Sequence, residues 1–438
     1  MNIEFLNHAC FTIESNNTVL LNDPYLYGTA FNDGWDLIIE DTRFIFDEKK
    51  NNFIYYSHEH PDHFSIPFLK SINEEKRKKI TILYQKTRDG RVKTFLEKQG
   101  FNVKEIKDRH RYECAPNFFI TIGKVPFYDS WALVEVDNKK ILNANDCILE
   151  TPDRVNDIKK ITNDVDILFT QYSYANWVEG GAIDNSERKK LAKEKLQRIK
   201  MQSEILSPKF IVPFASMVRF CHKENSYMND AINTPRTTVD FINSTTASNP
   251  FLMTPYEKWD GESFKDNEKA MKFWDDAYVV ALQRDLIKQK KTYNLDEIHI
   301  AYDEMVKRVK KKNNILCVKA LSFFGLIPEQ IIKVSDINST IKFSWHNGFT
   351  IVESEGQFVE MTSESIYFLF SFDFGIDSLN VNARFFGKLS QKKKLIRSFS
   401  PLALNNTGRY ISSIGTLLLL LDPTFIRQGL RTVGLLRQ

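Results

Sequence analysis

The sequence predicts an α/β sandwich followed by a smaller α+β unit, on three observations. Short apolar runs separated by turn residues crowd the N-terminal part. Strand–helix–strand patterns follow them. The composition then shifts after Asn249-Pro250 to a polar, Lys-rich stretch of helical pattern. Early hairpins followed by alternating elements favour a sandwich over a doubly wound sheet. On this reading one domain spans residues 1–255 and an α+β domain of unknown role spans 256–438.

Phe11–Ile13 and Thr18–Leu21 flank Ser15-Asn16-Asn17, a hairpin with a short loop, and Asn22-Asp23-Pro24 breaks the second strand. Phe53–Tyr56 is a compact apolar strand suited to the middle of a sheet. Further strands are expected at Ile80–Leu83, Phe118–Ile122, Ala132–Val136 and Lys140–Leu142, the last two joined by a turn at Asp137-Asn138. Val165–Thr170 and Phe210–Pro213 read as two more core strands. Helices are expected at Ile66–Lys70, Arg91–Gln99 and Ser186–Leu206. From Ile332 onward β-type segments return, with alternation in Ile341–Trp345 and Phe358–Met361. No internal repeat is evident.

The 60 basic and 56 acidic residues leave a formal charge of +4, which makes no case for a nucleic-acid partner. Lys310–Lys312 and Lys392–Lys394 read as solvated surface. The five cysteines are scattered without a C-x-x-C pair, so neither a zinc ribbon nor a disulfide framework is indicated. The N-terminus lacks a signal pattern, and the apolar run Ile414–Leu421 is too short to span a bilayer, so a cytoplasmic protein without a transmembrane segment is expected.

Ser57-His58-Glu59-His60-Pro61-Asp62-His63 is the most informative segment. Three of the eight histidines fall within six positions, with an aspartate between them. The segment follows an apolar strand, at the end where α/β sheets place ligands. Residues two apart on a tight loop face one pocket, while Asp62 and His63 turn to another. One loop can thereby serve two metal positions. Imidazole nitrogen and carboxylate oxygen suit zinc, manganese or iron.

This H-x-H-x-D-H spacing resembles the metallo-β-lactamase superfamily, which implies an αββα sandwich holding one or two divalent metal ions between its sheets. The resemblance implies a supporting role for Asp23 in Leu21-Asn22-Asp23-Pro24. It makes Asp146, in Ile141-Leu142-Asn143-Ala144-Asn145-Asp146-Cys147, the carboxylate shared by both metals. His222 falls where the last ligand histidine is expected. That superfamily usually places a histidine before the bridging aspartate; here Asp129 stands at that place, and His110 is read as surface. Gly28-Thr29-Ala30-Phe31, Gly34-Trp35 and Pro213-Phe214-Ala215 with His222 and Tyr227 are similar to the metallo-β-lactamase-like part of the CMP-N-acetylneuraminate hydroxylases. There too an aspartate replaces the usual histidine. His8-Ala9-Cys10-Phe11 more distantly resembles ascorbate-6-phosphate lactonases and N-acyl phosphatidylethanolamine phospholipases D.

The resemblance implies two chemistries. In the first, His58, His60 and Asp129 hold one metal, Asp62, His63 and His222 the other, and Asp146 both. Water activated there attacks an ester, lactone or phosphodiester, with His222 or Tyr128 positioning the leaving group and Asp62 in the catalytic set. In the second, two histidines and Asp129 hold iron for hydroxylation of a sugar nucleotide. That second chemistry requires an external ferredoxin or reductase, because the paired C-x-H and C-x-x-H motifs of the hydroxylases' Rieske domain do not occur in this sequence. Hydrolysis is the preferred expectation, on a small substrate that is anionic or carbohydrate-linked. His8 is expected to satisfy a backbone hydrogen bond beneath the site, and Arg219 and Lys223 are candidates to bind an anionic group.

Overall fold

The computed structural model describes residues 1–413 apart from 148, 354, 355 and 357. The run Ile414–Leu421 lies outside the described residues. Two seven-stranded sheets face one another. The first runs in the order Lys258–Trp259, Asn2–Asn7, Cys10–Ser15, Thr18–Asn22, Asn51–Tyr55, Ile80–Gln85 and Asn102–Ile106. Its pairs are antiparallel up to Thr18–Asn22 and parallel beyond. The second sheet runs Asn249–Pro250, Phe210–Phe214, Ile167–Gln171, Lys139–Asn143, Asp129–Val136, Phe118–Val125 and Arg111–Ala115, with its parallel pairs at the Phe210–Phe214 side.

The predicted hairpins form as the sequence implies. Asn16 and Asn17 have φ of 46° and 60°, and Asp137 and Asn138 have 49° and 61°. These left-handed values match the two-residue turns whose twist suits paired strands, and Asn and Asp tolerate them best. The sheets meet through large apolar side chains. Phe11 of the first stacks on Phe169 of the second at 4.1 Å between ring centroids, and Phe214 meets both edge-on. Lys258–Trp259 extends the first sheet, and Trp274 and Ala281 of the helix Glu268–Gln283 are buried in the same core.

Gly123 lies opposite Trp131 in the antiparallel register, and a Cβ there would run into the indole ring. Gly123→Ala is therefore expected to destabilise the fold by about 1–3 kcal/mol, the usual scale of overpacking a core. A urea melt measures this. An unchanged midpoint would show that Trp131, which follows Asp129-Ser130 on its strand, is not held by this contact.

The second core lies beyond the sandwich. The helix Leu295–Lys312 starts at an Asn294–Glu297 capping box and carries Asp296 and Glu297 in its first turn and Lys310–Lys312 in its last. Both ends thus complement the helix dipole, with the lysines exposed as expected. Its stripe Ile298, Ala301, Tyr302, Met305 and Val309 is buried. A four-stranded sheet (Gln330–Val334, Ser339–Ser344, Gly348–Ile351, Val359–Met361) packs with it. Among the described residues, the last strand of the expected β-structure is Val359–Met361, and four helices follow it, Ser363–Ser371, Gly375–Asn382, Leu389–Ser398 and Ser400–Asn405. Lys392 departs from the solvated expectation, since its Nζ lies 5.0 Å from the centroid of the Trp177 ring and donates to the Trp177 carbonyl. Burial draws its pKa down to about 8.

The two halves are joined by polar contacts. Buried Arg384 reaches Glu224 and Glu364 and donates to the Asn32 carbonyl, while Asn382 donates to that of Phe31. Among the described residues, no helix is long and apolar enough to cross a membrane.

Candidate metal centre

The histidine segment leaves the C-terminal end of Asn51–Tyr55, a strand enclosed by Thr18–Asn22 and Ile80–Gln85. Amide N–H groups of both His63 and Phe64 donate to the His60 carbonyl, which closes the loop tightly. Asp23, at φ 37° just past Thr18–Asn22, braces it from below. Its carboxylate accepts from the Ser57 amide and hydroxyl, each at 2.7 Å, and lies 2.9 Å from His63 Nδ1. That contact fixes the ring of His63 and turns Nε2 toward the cluster.

Three sets of ligand atoms lie within 4.8 Å of one another: His58, His60 and Asp62; His58, His63 and Asp146; and His8, Asp62 and His63. His63 Nε2 is 3.5 Å from both Asp62 Oδ2 and Asp146 Oδ1. Metal–ligand bonds of roughly 2.0–2.2 Å at tetrahedral angles put neighbouring donor atoms about 3.4 Å apart, so each of these pairs is spaced as co-ligands of an ion. Asp129 Oδ1 lies 3.6 Å from His58 Nδ1, at the border of the same group.

The donor set also fits a cation by what it leaves unpaired. Asp62 Oδ1, Asp146 Oδ1, His63 Nε2 and His8 Nδ1 are all buried atoms without a hydrogen-bond partner. Buried polar atoms are otherwise almost always paired, because each orphan costs about 1–3 kcal/mol. The charges are strongly coupled. Burial opposes a proton on His63, yet Asp146, Asp62 and Asp23 together raise its pKa to about 10. Burial lowers His58 to about 3 against the pull of Asp146. Burial and then Asp146 push Asp129 well above the usual carboxylate range.

Several expected site residues are placed elsewhere. His222 is in none of the three sets. After Phe210–Phe214 the chain passes His8 at Ala215, whose N–H donates to the His8 carbonyl. It then forms Val218–Phe220 against Trp35–Leu37 before His222 appears. There the His222 Nδ1 accepts from the Glu224 amide; burial lowers its pKa first, with Arg384 next. Tyr128 lies beside Arg91, whose guanidinium is 5.7 Å from its ring centroid, and burial followed by Asp89 raises its pKa. His8 corrects the opposite way. Its Nε2 lies 3.3 Å from Asp62 Oδ2, and its ring meets His63 edge-on. Arg219 is already taken, with two nitrogens on Asp36 at 2.8 and 3.0 Å. His110 is exposed, as expected.

Two further residues at the site carried no signal in the sequence. Asp377, on the helix Gly375–Asn382, accepts from Asn406 at 2.7 Å. Burial raises its pKa, opposed by Asn406 and by His60, so the second half supplies a carboxyl group near the loop. Lys195, on Ser186–Leu206, is close enough for the Asp146 charge to act on it.

A sequence profile described as Beta-lactamase superfamily domain matches residues 2–129. The cytidine monophosphate-N-acetylneuraminic acid hydroxylase of Danio rerio is 28% identical over 253 residues, covering 52% of this chain and 40% of that protein. That of Xenopus laevis is 30% identical over 248 residues, with the same coverage of 52% and 40%. The chain therefore spans less than half the length of these relatives. Among solved structures, CmlA, a diiron beta-hydroxylase from Streptomyces venezuelae, aligns with a TM-score of 0.41 at 14% identity, covering 59% of this chain and 53% of that one.

Proposed function

We propose that this chain, which carries a metallo-β-lactamase-superfamily domain at its N-terminal end, is a metal-dependent hydrolase acting on an ester, lactone or phosphodiester of a small anionic or carbohydrate-linked molecule. The observation that carries the reading is the convergence of orphaned Asp62 Oδ1, Asp146 Oδ1 and His63 Nε2 in one buried cluster. His58, His60, Asp62, His63 and Asp146 are its ligands, with Asp129 beside His58 and His8 in the place expected of His222. Divalent ions held there supply a water polarised enough to react near neutral pH.

The protein's own residues do the rest. Asp23 and Ser57 hold His63 in a single orientation. Asp62, reached by His8 on Oδ2, is held with Oδ1 turned into the cluster, where it would donate to the metal. Asp377 and the loop at Asn406 wall the site from the side of the second half and restrict what enters.

A second reading is favoured by Asp129. A carboxylate in place of a third histidine hardens the ligand set toward iron, and the relatives above are named as hydroxylases. Mass-spectrometric metal analysis of anaerobically purified protein separates the two. Zinc or manganese near two equivalents per chain, with turnover of test esters, is the expected result. Predominant iron with substrate-dependent oxygen uptake moves the assignment to hydroxylation, and a chain free of zinc, manganese and iron defeats both.

A further inference from the structure

We propose that Lys195, beside the carboxylate-paired Arg198, forms a seat for an anionic group of the substrate, a carboxylate or phosphate, next to Asp146. The inference rests on the metal-enzyme reading and adds to it the part of the site that selects charge. Both residues lie on the helix Ser186–Leu206 at a three-residue spacing, so they share a face. That face is fixed against the edge of the second sheet where Asp146 emerges. Gln202 accepts from Thr170 at 2.8 Å and donates to the Leu149 carbonyl, and Arg198 pairs with Glu150 at 2.5 Å. One turn back toward the helix start from Arg198, Lys195 Nζ donates to Gln171 Oε1. Gln171 in turn donates its backbone N–H to the carbonyl of Asn145, the residue before Asp146.

Lys195 differs from the other cations near the site. Arg219 is held by Asp36, Arg384 by Glu224 and Glu364, and Arg91 by Glu59. The ammonium of Lys195 rests on a neutral amide instead. Burial, then Arg198, draws it down to about 8, against the pull of Glu150 and Asp146. A half-buried cation resting on a neutral partner is costly unless an anion completes it. A substrate anion bridging Lys195 toward the metal cluster meets that need.

Calorimetric titration of the metal-loaded full chain with inorganic phosphate, and separately with acetate, tests the seat. Lys195→Ala is expected to weaken phosphate binding about tenfold or more, the scale of one charge-assisted hydrogen bond, with metal content unchanged. Lys195→Arg is expected to restore most of it. Preference for acetate over phosphate would identify the substrate group as a carboxylate. Equal affinity in the wild type and Lys195→Ala would place the anion on the metals alone and overturn the seat, as would a wild type that binds neither anion. Failure of the hydrolase reading registers separately, as absence of ester turnover in a chain that still binds anions through Lys195.

Discussion

His60→Ala is expected to strip most of the metal from the chain and to lower turnover by more than about a hundredfold, since even the loss of an outer-shell support costs 10–100-fold. His60 sits in one ligand set with His58 and Asp62, and its carbonyl closes the loop that carries His63. The side chain is partly accessible, so its removal need not unfold the strand behind it. His110→Ala is the matched control. That residue is exposed, its Nδ1 lies 3.0 Å from the Asp108 carbonyl, and metal content should not change. The pair also tests Asp129. Loss of metal in His110→Ala but not in Asp129→Ala would mean that the third position near His58 has been misassigned.

Asp23→Ala is expected to be the most destabilising single change at the site, by about 3–5 kcal/mol, the cost of removing one member of a buried charged pair. The carboxylate is fully buried and serves the Ser57 amide, the Ser57 hydroxyl and His63 together. None of these groups has water to turn to when it is gone. Urea unfolding in the presence of a chelator measures the effect without the added stability that bound metal contributes. Asp23→Asn, which keeps an acceptor but loses the charge, should fall between. A loss below about 1 kcal/mol for Asp23→Ala would show that the loop holds itself and that Asp23 is incidental.

What was legible in the sequence was whatever depends on neighbours along the chain. The hairpin turns at Asn16-Asn17 and Asp137-Asn138, the buried strand Asn51–Tyr55 and the helix Ser186–Leu206 follow from local patterning and turn chemistry. The histidine loop was equally legible, because its donor atoms are packed into one short segment after a strand. Tertiary structure alone decided the remainder of the site. A further strand, Val218–Phe220, precedes His222, which joins none of the three donor sets, while the turn between two N-terminal strands brings His8 to Asp62. Asp377 and Lys195 come from a helix of the second half and from the helix Ser186–Leu206, which packs against Thr170 and Gln171 of an interior strand of the second sheet. No spacing along the chain encodes such meetings. They depend on how two sheets and a second core pack, a sum of many weak apolar contacts that no short motif records.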